Sequence, residues 1–410
     1  MKEFTIIYPY TNIGFPSQMA NMIQTLNTCD SLAQTGLARV YLILRNASGW
    51  GPEKIREYYG LNANPAFEIH SIPLAHSRTR IVGKADNLLY RALLIRSVLG
   101  IAGRAHNVVI FSRDASMLSL LTRVPGLRGP TRFAYEAHNS IRVSLNHSQR
   151  WYGESRPVNS LKIRLYSSFE RRAIRKASAV FVLTRRLAEI LSSEYPGSCQ
   201  KIVVAPDAAR RIDMEPGPPP NNGHTSLVGY VGQLFPSRGV DVLVQAMPLL
   251  DKSVRLLIVG GSDNRKDIER LSNLARSLGV ENRITFTGFV APSRIGSFLS
   301  RPDVLVMPLV DDEVTRNFAS SMKQFEYMAA RKPIVASDLP STREILRHKE
   351  NAILVRPDSP ESLAEGIAVA LEDKELARKI SETAYREVNE KYTFGKRAET
   401  IIAALEDLCR

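Results

Sequence analysis

The sequence predicts an α/β protein with parallel sheets, divided into two or three domains. In the C-terminal half, short apolar strands alternate with helix-like stretches such as 268–278. Strands that are apolar throughout are typical of a parallel sheet covered on both faces. A length of 410 residues exceeds one ordinary domain. The segment 206–225 contains a dense Pro/Gly run at 216–223 and is the predicted linker.

The predicted elements follow this alternation along the chain. The N-terminal half begins with a strand at 4–10, a loop and a helix over 18–34, and its further strands cover 40–44, 107–111 and 132–135. Strands in the C-terminal half are predicted over 227–232, 255–262, 284–290, 303–308 and 332–337. A helix is expected to begin at Ser320 or Ser321, whose hydroxyl would cap it.

The helix that follows these serines has the features of a nucleotide site. Lys323 lies in its first turn and Glu326 three residues later, so the two side chains share a face. A helix N-terminus attracts phosphate. A cation for a diphosphate would thus lie beside a carboxylate able to accept the ribose hydroxyls. The alternative is a surface helix with an ordinary salt bridge, and these residues alone leave it open.

Two further positions predict ligand contacts at strand ends. Gly232 ends a strand where close backbone approach to a ligand is useful, and Arg238 follows as a bidentate phosphate donor. His138 follows the strand 132–135, and the carboxyl ends of parallel strands face the ligand crevice. The alternative for His138 is a surface or hydrogen-bonded core histidine; for Gly14, in the loop after the first strand, it is an ordinary turn glycine.

In its motifs the chain resembles the retaining glycosyltransferases of family 4. The motifs, in order, are Gly-Tyr-Val-Gly at 229–232, Leu-Leu-Ile-Val-Gly-Gly at 256–261, Ile-Thr-Phe-Thr-Gly-Phe-Val at 284–290, Lys-Gln-Phe-Glu-Tyr-Met-Ala-Ala at 323–330, and Pro-Ile-Val-Ala-Ser-Asp-Leu-Pro at 333–340. The resemblance implies the GT-B architecture, two Rossmann-like domains with parallel sheets facing a central cleft. Residues 1–210 would bind the acceptor, 211–225 would form the linker and 226–392 would bind the nucleotide-sugar. The helix 393–410 would pack back onto the first domain.

The resemblance also implies an activity and roles for individual residues. The activity is transfer of a sugar, with retention and without a metal cofactor, from a UDP- or GDP-linked donor to a saccharide or lipid-linked acceptor in envelope or exopolysaccharide biosynthesis. The implied catalytic residues are His138, Arg238 and Lys323. The implied donor-binding residues are Gly14, Gly232, Gln233, Phe289, Val290, Ser321, Glu326 and Glu344, the last placed near a helix start. The candidate acceptor contacts are Arg113, Asp114 and Glu136.

The chain departs from the family pattern at two positions. Many members have a first acid where this chain has Phe318, which puts the contacts to the donor sugar in doubt. Many also have arginine where this chain has Gln233, so Arg238 is expected to carry more of the phosphate's charge. Three other classes stay open: a nucleotide-sugar 2-epimerase, a sugar phosphorylase, for which no pyridoxal-phosphate lysine site is found, and a noncatalytic nucleotide-sugar-binding relative.

Charge is distributed unevenly between the halves. Residues 1–210 hold 28 Lys and Arg against 13 Asp and Glu, whereas residues 211–410 hold 27 against 28. Such a basic half predicts an anionic partner. Nucleic acid is not expected, because no binding module is recognisable. A membrane surface fits better, through the basic amphipathic stretches 88–100 and 162–176. The alternative is that these helices face the core and have a solvated basic side.

The sequence also bears on location and metal binding. No apolar run reaches the roughly 20 residues needed to cross a bilayer, and a strand begins the chain without a signal peptide. A cytoplasmic protein with a peripheral contact to the inner membrane face is therefore expected. Cys29, Cys199 and Cys409 predict neither a disulfide framework nor a zinc site. Asp311 and Asp312 are adjacent rather than spaced as a metal-binding Asp-x-Asp pair, so no metal site is predicted.

Overall fold

The computed structural model describes residues 3–11, 17, 19–46, 48–74, 80–127, 129, 131–143, 160–198, 201–210, 225–261, 266–318 and 320–407. These residues form two compact units. The N-terminal unit takes in the described residues up to 206 and from 394 onward, and the C-terminal unit those from 207 to 393. Of the predicted linker 211–225, only Thr225 is among the described residues.

The N-terminal unit alternates strands and helices from its first residues. In chain order its elements are β1 (Phe4–Pro9), α1 (Ala20–Gln34), β2 (Ala38–Arg45), α2 (Pro52–Tyr59), β3 (Phe67–Ile72), α3 (Arg80–Ala102), β4 (Val108–Ser112), α4 (Ala115–Leu121), β5 (Arg132–Ala137), α5 (Ser160–Lys176), β6 (Ala179–Val182), α6 (Arg185–Glu194) and β7 (Ile202–Val204). The strands form a parallel sheet in the order β3-β2-β1-β4-β5-β6-β7.

The C-terminal unit repeats the same plan. Its elements are β8 (Leu227–Val231), α7 (Val240–Ala246), β9 (Arg255–Val259), α8 (Lys266–Ser277), β10 (Ile284–Phe286), α9 (Ile295–Leu299), β11 (Val304–Met307), α10 (Glu313–Phe318), α11 (Met322–Ala329), β12 (Ile334–Ser337), α12 (Pro340–Arg343), β13 (Ile353–Val355), α13 (Pro360–Glu372) and α14 (Lys374–Lys391). The strands form a second parallel sheet, ordered β10-β9-β8-β11-β12-β13. The last helix, α15 (Phe394–Asp407), belongs to the N-terminal unit.

The predicted α/β class with parallel sheets is confirmed, and the burial of the strands explains why it was predictable. Every residue of β4, β6, β11 and β12 is buried. Because successive strand residues point to opposite faces, a strand buried at every position must be covered on both. All strand carboxyl ends in a parallel sheet lie at one edge, and the candidate site residues follow those ends.

The observed elements differ from the prediction in two ways. Four strands were not predicted: β3, β6, β7 and β13. The predicted strands 255–262 and 284–290 are shorter in the structure and end at Val259 and Phe286. The backbone turns away at Gly260, Gly261 and Gly288, whose φ angles are positive.

Candidate functional site

Helix α11 is fixed firmly against the C-terminal sheet. Residues 322–328 are all buried, and the Tyr327 hydroxyl accepts a 2.8 Å hydrogen bond from the backbone N–H of Val231 at the end of β8. The predicted serine cap is wrong in its detail. Ser321 is the N-cap residue, but its side chain makes no capping bond. The Ser320 hydroxyl instead accepts a hydrogen bond from the Asp207 backbone N–H, at 3.1 Å. The α11 N-terminus therefore lacks a side-chain cap of its own.

Lys323 reaches from α11 to the end of β8, as its place in the first turn predicts. Its Nζ donates to the Tyr230 hydroxyl at 2.6 Å and lies 4.0 Å from the centre of the Tyr230 ring. The neighbouring Gly232 has a φ of 148°, and a Cβ built on it would lie 2.7 Å from Lys323 Nζ. The positive φ favours glycine at this position, and a larger residue would displace the ammonium group from this backbone.

The ammonium group of Lys323 lies in an unfavourable electrostatic environment. Burial and the nearby positive charge of Arg238 lower the pKa of Lys323 well below its usual range, against the opposing effect of Glu326. Arg238 ends a short 3₁₀ turn, Pro236–Arg238, which follows β8. Two cations thus lie close together beside the strand end, and an anionic ligand would stabilise both.

Glu326 is paired with an arginine that the sequence did not single out. Arg210 donates from Nε to Glu326 Oε1 at 2.8 Å, and its Nη2 lies 2.7 Å from the same oxygen. Arg210 Nη1 donates to the Pro292 carbonyl at 3.0 Å. The two side chains are 10% and 9% exposed, so the pair is nearly but not wholly enclosed.

The other donor-site predictions fall at different places in the C-terminal unit. The Gln233 carbonyl accepts a hydrogen bond from the Tyr230 hydroxyl at 2.6 Å. Phe289 and Val290 lie in the segment after β10 and are partly buried. The placement of Glu344 near a helix start is wrong, because Glu344 follows the last residue of α12 as its C-cap.

Three remaining positions concern the family pattern and metal binding. Phe318 ends α10 and is 4% exposed, so the position of the first family acid is an apolar core position here. Asp311 pairs with Arg316, and Asp312 accepts bonds from the backbone N–H groups of Val314 and Thr315 in the first turn of α10. Within the described ranges, no cluster of three His, Cys, Asp or Glu residues could hold a metal ion. Gly14 lies outside the described residues.

In the N-terminal unit, Glu136 near the end of β5 is the centre of a buried polar cluster. Its carboxylate accepts from the Tyr8 hydroxyl at 3.1 Å, from Gln24 Nε2 at 2.6 Å and from Arg397 Nη2 on α15. Burial raises the pKa of Glu136, but the positive charge of Arg397 and the contact with His138 outweigh it and hold that pKa well below its usual range. Glu136 is therefore ionised at neutral pH.

His138 follows β5 and contacts this carboxylate. Its Nε2 lies 3.1 Å from Glu136 Oε1, although Nε2 lacks the alignment of a hydrogen bond to any described residue. Burial, together with the positive charge of Arg113, lowers the pKa of His138 to about 4 despite the nearby Glu136. The imidazole is thus neutral at physiological pH.

A cavity of about 270 Å³ lies beside His138 within the N-terminal unit. Its lining includes Arg113 and Asp114 together with Tyr10, Asn21 and Tyr166. Asp114 is the N-cap of α4, where Oδ1 accepts from the backbone N–H groups of Ser116 and Met117. Arg113 Nη1 donates to the Asn21 carbonyl at 3.1 Å and to Gln24 Oε1 at 3.2 Å. Aromatic rings with hydrogen-bonding groups are suited to a sugar ring.

A second buried carboxylate in the same unit holds the segment that follows His138. Glu170 on α5 accepts from the Tyr195 hydroxyl at 2.9 Å, from the Tyr135 hydroxyl at 3.3 Å and from the Ile141 backbone N–H at 3.3 Å. Burial raises the pKa of Glu170 to about 7. Glu170 thus links α5 to one wall of the cavity.

Sequence reasoning missed Arg210, Arg397 and Glu170. One signal for Arg397 was available, since it lies on the buried face of α15 with Phe394, Ala398 and Ile401. A charge on the apolar face of a helix indicates a buried partner. No comparable local signal marks Arg210, whose partner lies 116 positions away in the sequence.

Residues 213–387, which make up most of the C-terminal unit, match the family described as glycosyl transferases group 1. The C-terminal unit is thus similar to the domains of that family over most of its length. An uncharacterized glycosyltransferase of Methanocaldococcus jannaschii is 30% identical over 177 residues, which are 43% of each chain. A GDP-mannose-dependent alpha-(1-6)-phosphatidylinositol monomannoside mannosyltransferase of Mycobacterium tuberculosis is 28% identical over 46% of this chain and 48% of its own. The chain thus spans about half the length of these curated relatives.

Solved structures match over the whole chain. Sucrose-phosphate synthase from Thermosynechococcus elongatus has a TM-score of 0.75 at 16% identity, covering 100% of this chain and 99% of its own. Anabaena HepE in complex with UDP and glucose has a TM-score of 0.69 at 17% identity, covering 98% and 99%. These similarities establish the fold: the two units are the Rossmann-like domains of the GT-B class, as the resemblance implied.

Proposed function

We propose that this protein is a retaining glycosyltransferase of family 4 that transfers a sugar from a nucleotide-sugar to a saccharide or lipid-linked acceptor. The observation that carries the proposal is the group formed by Lys323, Arg238 and Gly232 at the end of β8, with Glu326 on the same helix as the lysine. Two crowded cations beside glycine backbone favour a diphosphate. UDP in the HepE complex and the GDP-mannose dependence of the mycobacterial relative support a UDP- or GDP-linked donor.

In the proposed reaction, the bond between the anomeric carbon and the diphosphate oxygen breaks. The acceptor oxygen bonds to that carbon on the same face, and its proton passes to the departing diphosphate oxygen. Negative charge grows on the diphosphate as the bond breaks, and Lys323, Arg238 and the N-terminus of α11 stabilise it there. These groups supply the positive charge that a divalent ion would otherwise provide, so we propose a metal-independent reaction without a further cofactor.

The remaining roles are proposed from the surroundings of each residue. Glu326 would exchange part of its contact with Arg210 for the ribose hydroxyls. Phe289 and Val290 would present backbone to the base, and Ser321 and Gln233 would complete the donor contacts. His138, neutral at physiological pH, would position the donor sugar rather than attack it. The cavity beside it, with Arg113 and Asp114, would take the acceptor.

Ligand-induced stabilisation tests the donor site. UDP, GDP, ADP and their common sugar conjugates are added without metal to the wild type, to Glu326→Gln and to the control Glu382→Gln, whose carboxylate is an exposed partner of Arg331. A nucleotide that binds only the folded state raises the melting temperature. We expect one nucleotide series to stabilise the wild type and the control, and Glu326→Gln to lose most of the shift. No shift with any nucleotide would contradict the proposal.

The products formed from that donor then distinguish the class of reaction. Transfer to an added acceptor, or slow hydrolysis of the donor with the same anomeric configuration in the product, supports the transferase. Epimerisation of the donor, or binding without turnover, would overturn it in favour of an epimerase or a noncatalytic binding protein.

We further propose that the acceptor is an envelope or exopolysaccharide precursor carried on an anionic membrane surface. Helix α5 exposes Leu161 at 70% and Leu165 at 49% among basic residues, and α3 exposes Leu88 at 70% and Leu89 at 49%. Exposed apolar side chains with flanking cations favour anionic lipid surfaces. No helix among the described residues is long and apolar enough to span a bilayer.

Vesicle sedimentation tests this contact. We expect binding to vesicles with anionic lipid, weaker binding at high salt, and a marked loss in Leu161→Glu/Leu165→Glu. The control Leu249→Glu alters a leucine of the C-terminal unit that is 55% exposed, and it should bind as the wild type does. Equal binding of all three proteins would argue against the proposed surface.

A further inference from the structure

Arg397 lies on the last helix of the chain and is buried in the N-terminal unit. Its side chain is 2% exposed, and its contact with Glu136 joins residues 261 positions apart in the sequence. Its Nε and Nη1 atoms are buried without a hydrogen-bond partner among the described residues. A buried guanidinium group whose Nε and Nη1 atoms lack hydrogen-bond partners in the described part of the chain is not explained by its contribution to stability alone. Its effect on the charge of Glu136 explains it better.

Glu136 has most of its hydrogen-bonding capacity engaged. Oε2 accepts from Tyr8, and Oε1 accepts from Gln24 and Arg397. His138 Nε2 lies 3.1 Å from the same Oε1 atom, without hydrogen-bond alignment. The carboxylate thus contacts the imidazole while its charge is balanced by Arg397.

We propose that Arg397 is a positioning residue for His138 and that it acts through the carboxylate of Glu136. This inference rests on the proposed function, in which His138 contacts the donor sugar. Without the guanidinium, an unbalanced carboxylate would attract a proton onto the imidazole and hold Nε2 more tightly. Together with burial and the charge of Arg113, the guanidinium keeps the ring neutral, and the ring nitrogen that does not face Glu136 is left for a sugar hydroxyl.

Several groups surround His138 and bear on its protonation. Burial and then the charge of Arg113 oppose a positive charge on the ring most strongly, Glu136 favours it, and Arg397 opposes it with a smaller effect. The titratable groups that line the adjoining cavity are Tyr10, Asp114, Tyr135 and Tyr166. Because Arg397 and Glu136 act with opposite sign, substitutions at the two positions must move the titration of His138 in opposite directions.

An NMR titration of His138 tests this sign. The chain has seven histidines, and His138→Gln identifies the His138 signal by its loss. We expect Arg397→Met to raise the titration midpoint of His138 by up to about 1 pH unit. Glu136→Gln should lower the His138 midpoint or leave it at the lowest pH that the titration reaches. Arg397→Lys, which keeps the charge, should stay near the wild type, as should the control Lys396→Met on an exposed neighbour of the same helix.

Kinetics separate positioning from a purely structural role. We expect Arg397→Met to lower kcat about tenfold or more while the dissociation constant of the nucleotide alone stays within about twofold, because the nucleotide contacts lie in the other unit. Arg397→Lys should restore most of kcat. Should Arg397→Met not fold, Arg397→Lys and Glu136→Gln provide the same comparison of charge and sign.

Two results would overturn the inference. One is a His138 midpoint that stays at the wild-type value in both Arg397→Met and Glu136→Gln. The other is a loss of kcat that Arg397→Lys does not restore and that follows the loss of melting temperature. Failure of the proposed function is separately visible, because the wild type would then neither transfer nor hydrolyse any nucleotide-sugar, while the titration would still decide whether Arg397 controls His138.

Discussion

The two units each contain a carboxylate paired with an arginine, and the two pairs differ in how completely they are enclosed. Glu136 and Arg397 are 0% and 2% exposed, and Tyr8, Gln24 and His138 surround the carboxylate. The side chains of Glu326 and Arg210 are 9% and 10% exposed. Arg210 Nε and Nη2 lie 2.8 Å and 2.7 Å from Glu326 Oε1. The first pair is shut off from ligands, whereas the second lies near the surface.

This difference indicates two ways of using a buried charge. An enclosed carboxylate with four neighbours cannot exchange them for a ligand, so it can act only on the side chains it holds. A carboxylate at the edge of a site can give up part of its contact with one arginine when ligand hydroxyls arrive. Glu136 is accordingly suited to orienting His138, and Glu326 to binding ribose.

The largest effect should follow from breaking the enclosed pair. Removing one partner of a buried ion pair costs about 3–5 kcal/mol, because the other charge stays buried alone. We expect Arg397→Met to lower the free energy of unfolding of the N-terminal unit by about that amount, and Arg210→Met to cost the C-terminal unit about 1–2 kcal/mol. Denaturant unfolding at pH 7, followed with a probe in each unit, measures both.

The exposed pair Arg331–Glu382 provides the matched control. Its side chains are 58% and 46% exposed, so Arg331→Met should change stability by less than about 1 kcal/mol. The three arginines then form a series in which the loss in free energy of unfolding rises with burial of the pair. Equal losses at Arg397 and Arg331 would show that enclosure does not set the strength of these pairs.

The same comparison explains what the sequence could predict. Lys323 and Glu326 share one short helix, and Gly232 ends a strand beside it, so local spacing was enough to find them. Arg397 and Glu136 meet only because the last helix returns to the first sheet, and Arg210 and Glu326 only because the chain after β7 passes α11. Pairings over such separations have no signature in a single sequence.

The strands follow this rule only in part. Strands β4 and β11, apolar and buried along their length, were predicted, but β6, which is equally apolar and buried, was not. Strand β3 (Phe67–Ile72) was missed because it lies at the sheet edge and contains Glu68, His70 and Ser71 at partly or fully exposed positions. Strands β7 and β13 have only three residues each, too few for a period to be recognised; β10 is as short but was predicted as part of the longer stretch 284–290.

The next effect concerns catalysis in the C-terminal unit. Lys323→Met removes a cation fixed beside the position proposed for the leaving diphosphate. Loss of one such preorganised charge costs about 10²–10³ in kcat. We expect that loss in the rate of transfer, with a folded protein by circular dichroism. Lys332→Met, a partly buried lysine beyond the same helix, is the control and should keep its rate. Similar rates for both variants would exclude Lys323 from the proposed role.

A smaller effect is a pH dependence of the stability of the N-terminal unit. Burial raises the pKa of Glu170 from 4.5 to about 7, so between these values the folded state binds a proton that the unfolded state has lost. Stability therefore falls as pH rises through this window, by about 3 kcal/mol in total, and is constant below it. Glu170→Gln should remove this part of the pH dependence. Parallel curves of stability against pH for the wild type and the variant, from pH 4.5 to 8, would contradict this role of Glu170.

The smallest predicted effect is the uptake of a fraction of a proton when a nucleotide binds. Burial and the charge of Arg238 lower the pKa of Lys323, and a bound diphosphate would raise it again by adding negative charge nearby. Nucleotide binding at pH 8 should then take up a fraction of a proton, which calorimetry detects as a binding heat that varies with the ionisation enthalpy of the buffer. Lys323→Met should bind without this variation, and Lys332→Met should retain it. A wild-type heat that is the same in every buffer would mean that the ammonium group is already fully protonated, and that the crowding of Lys323 by Arg238 and Tyr230 has little electrostatic effect.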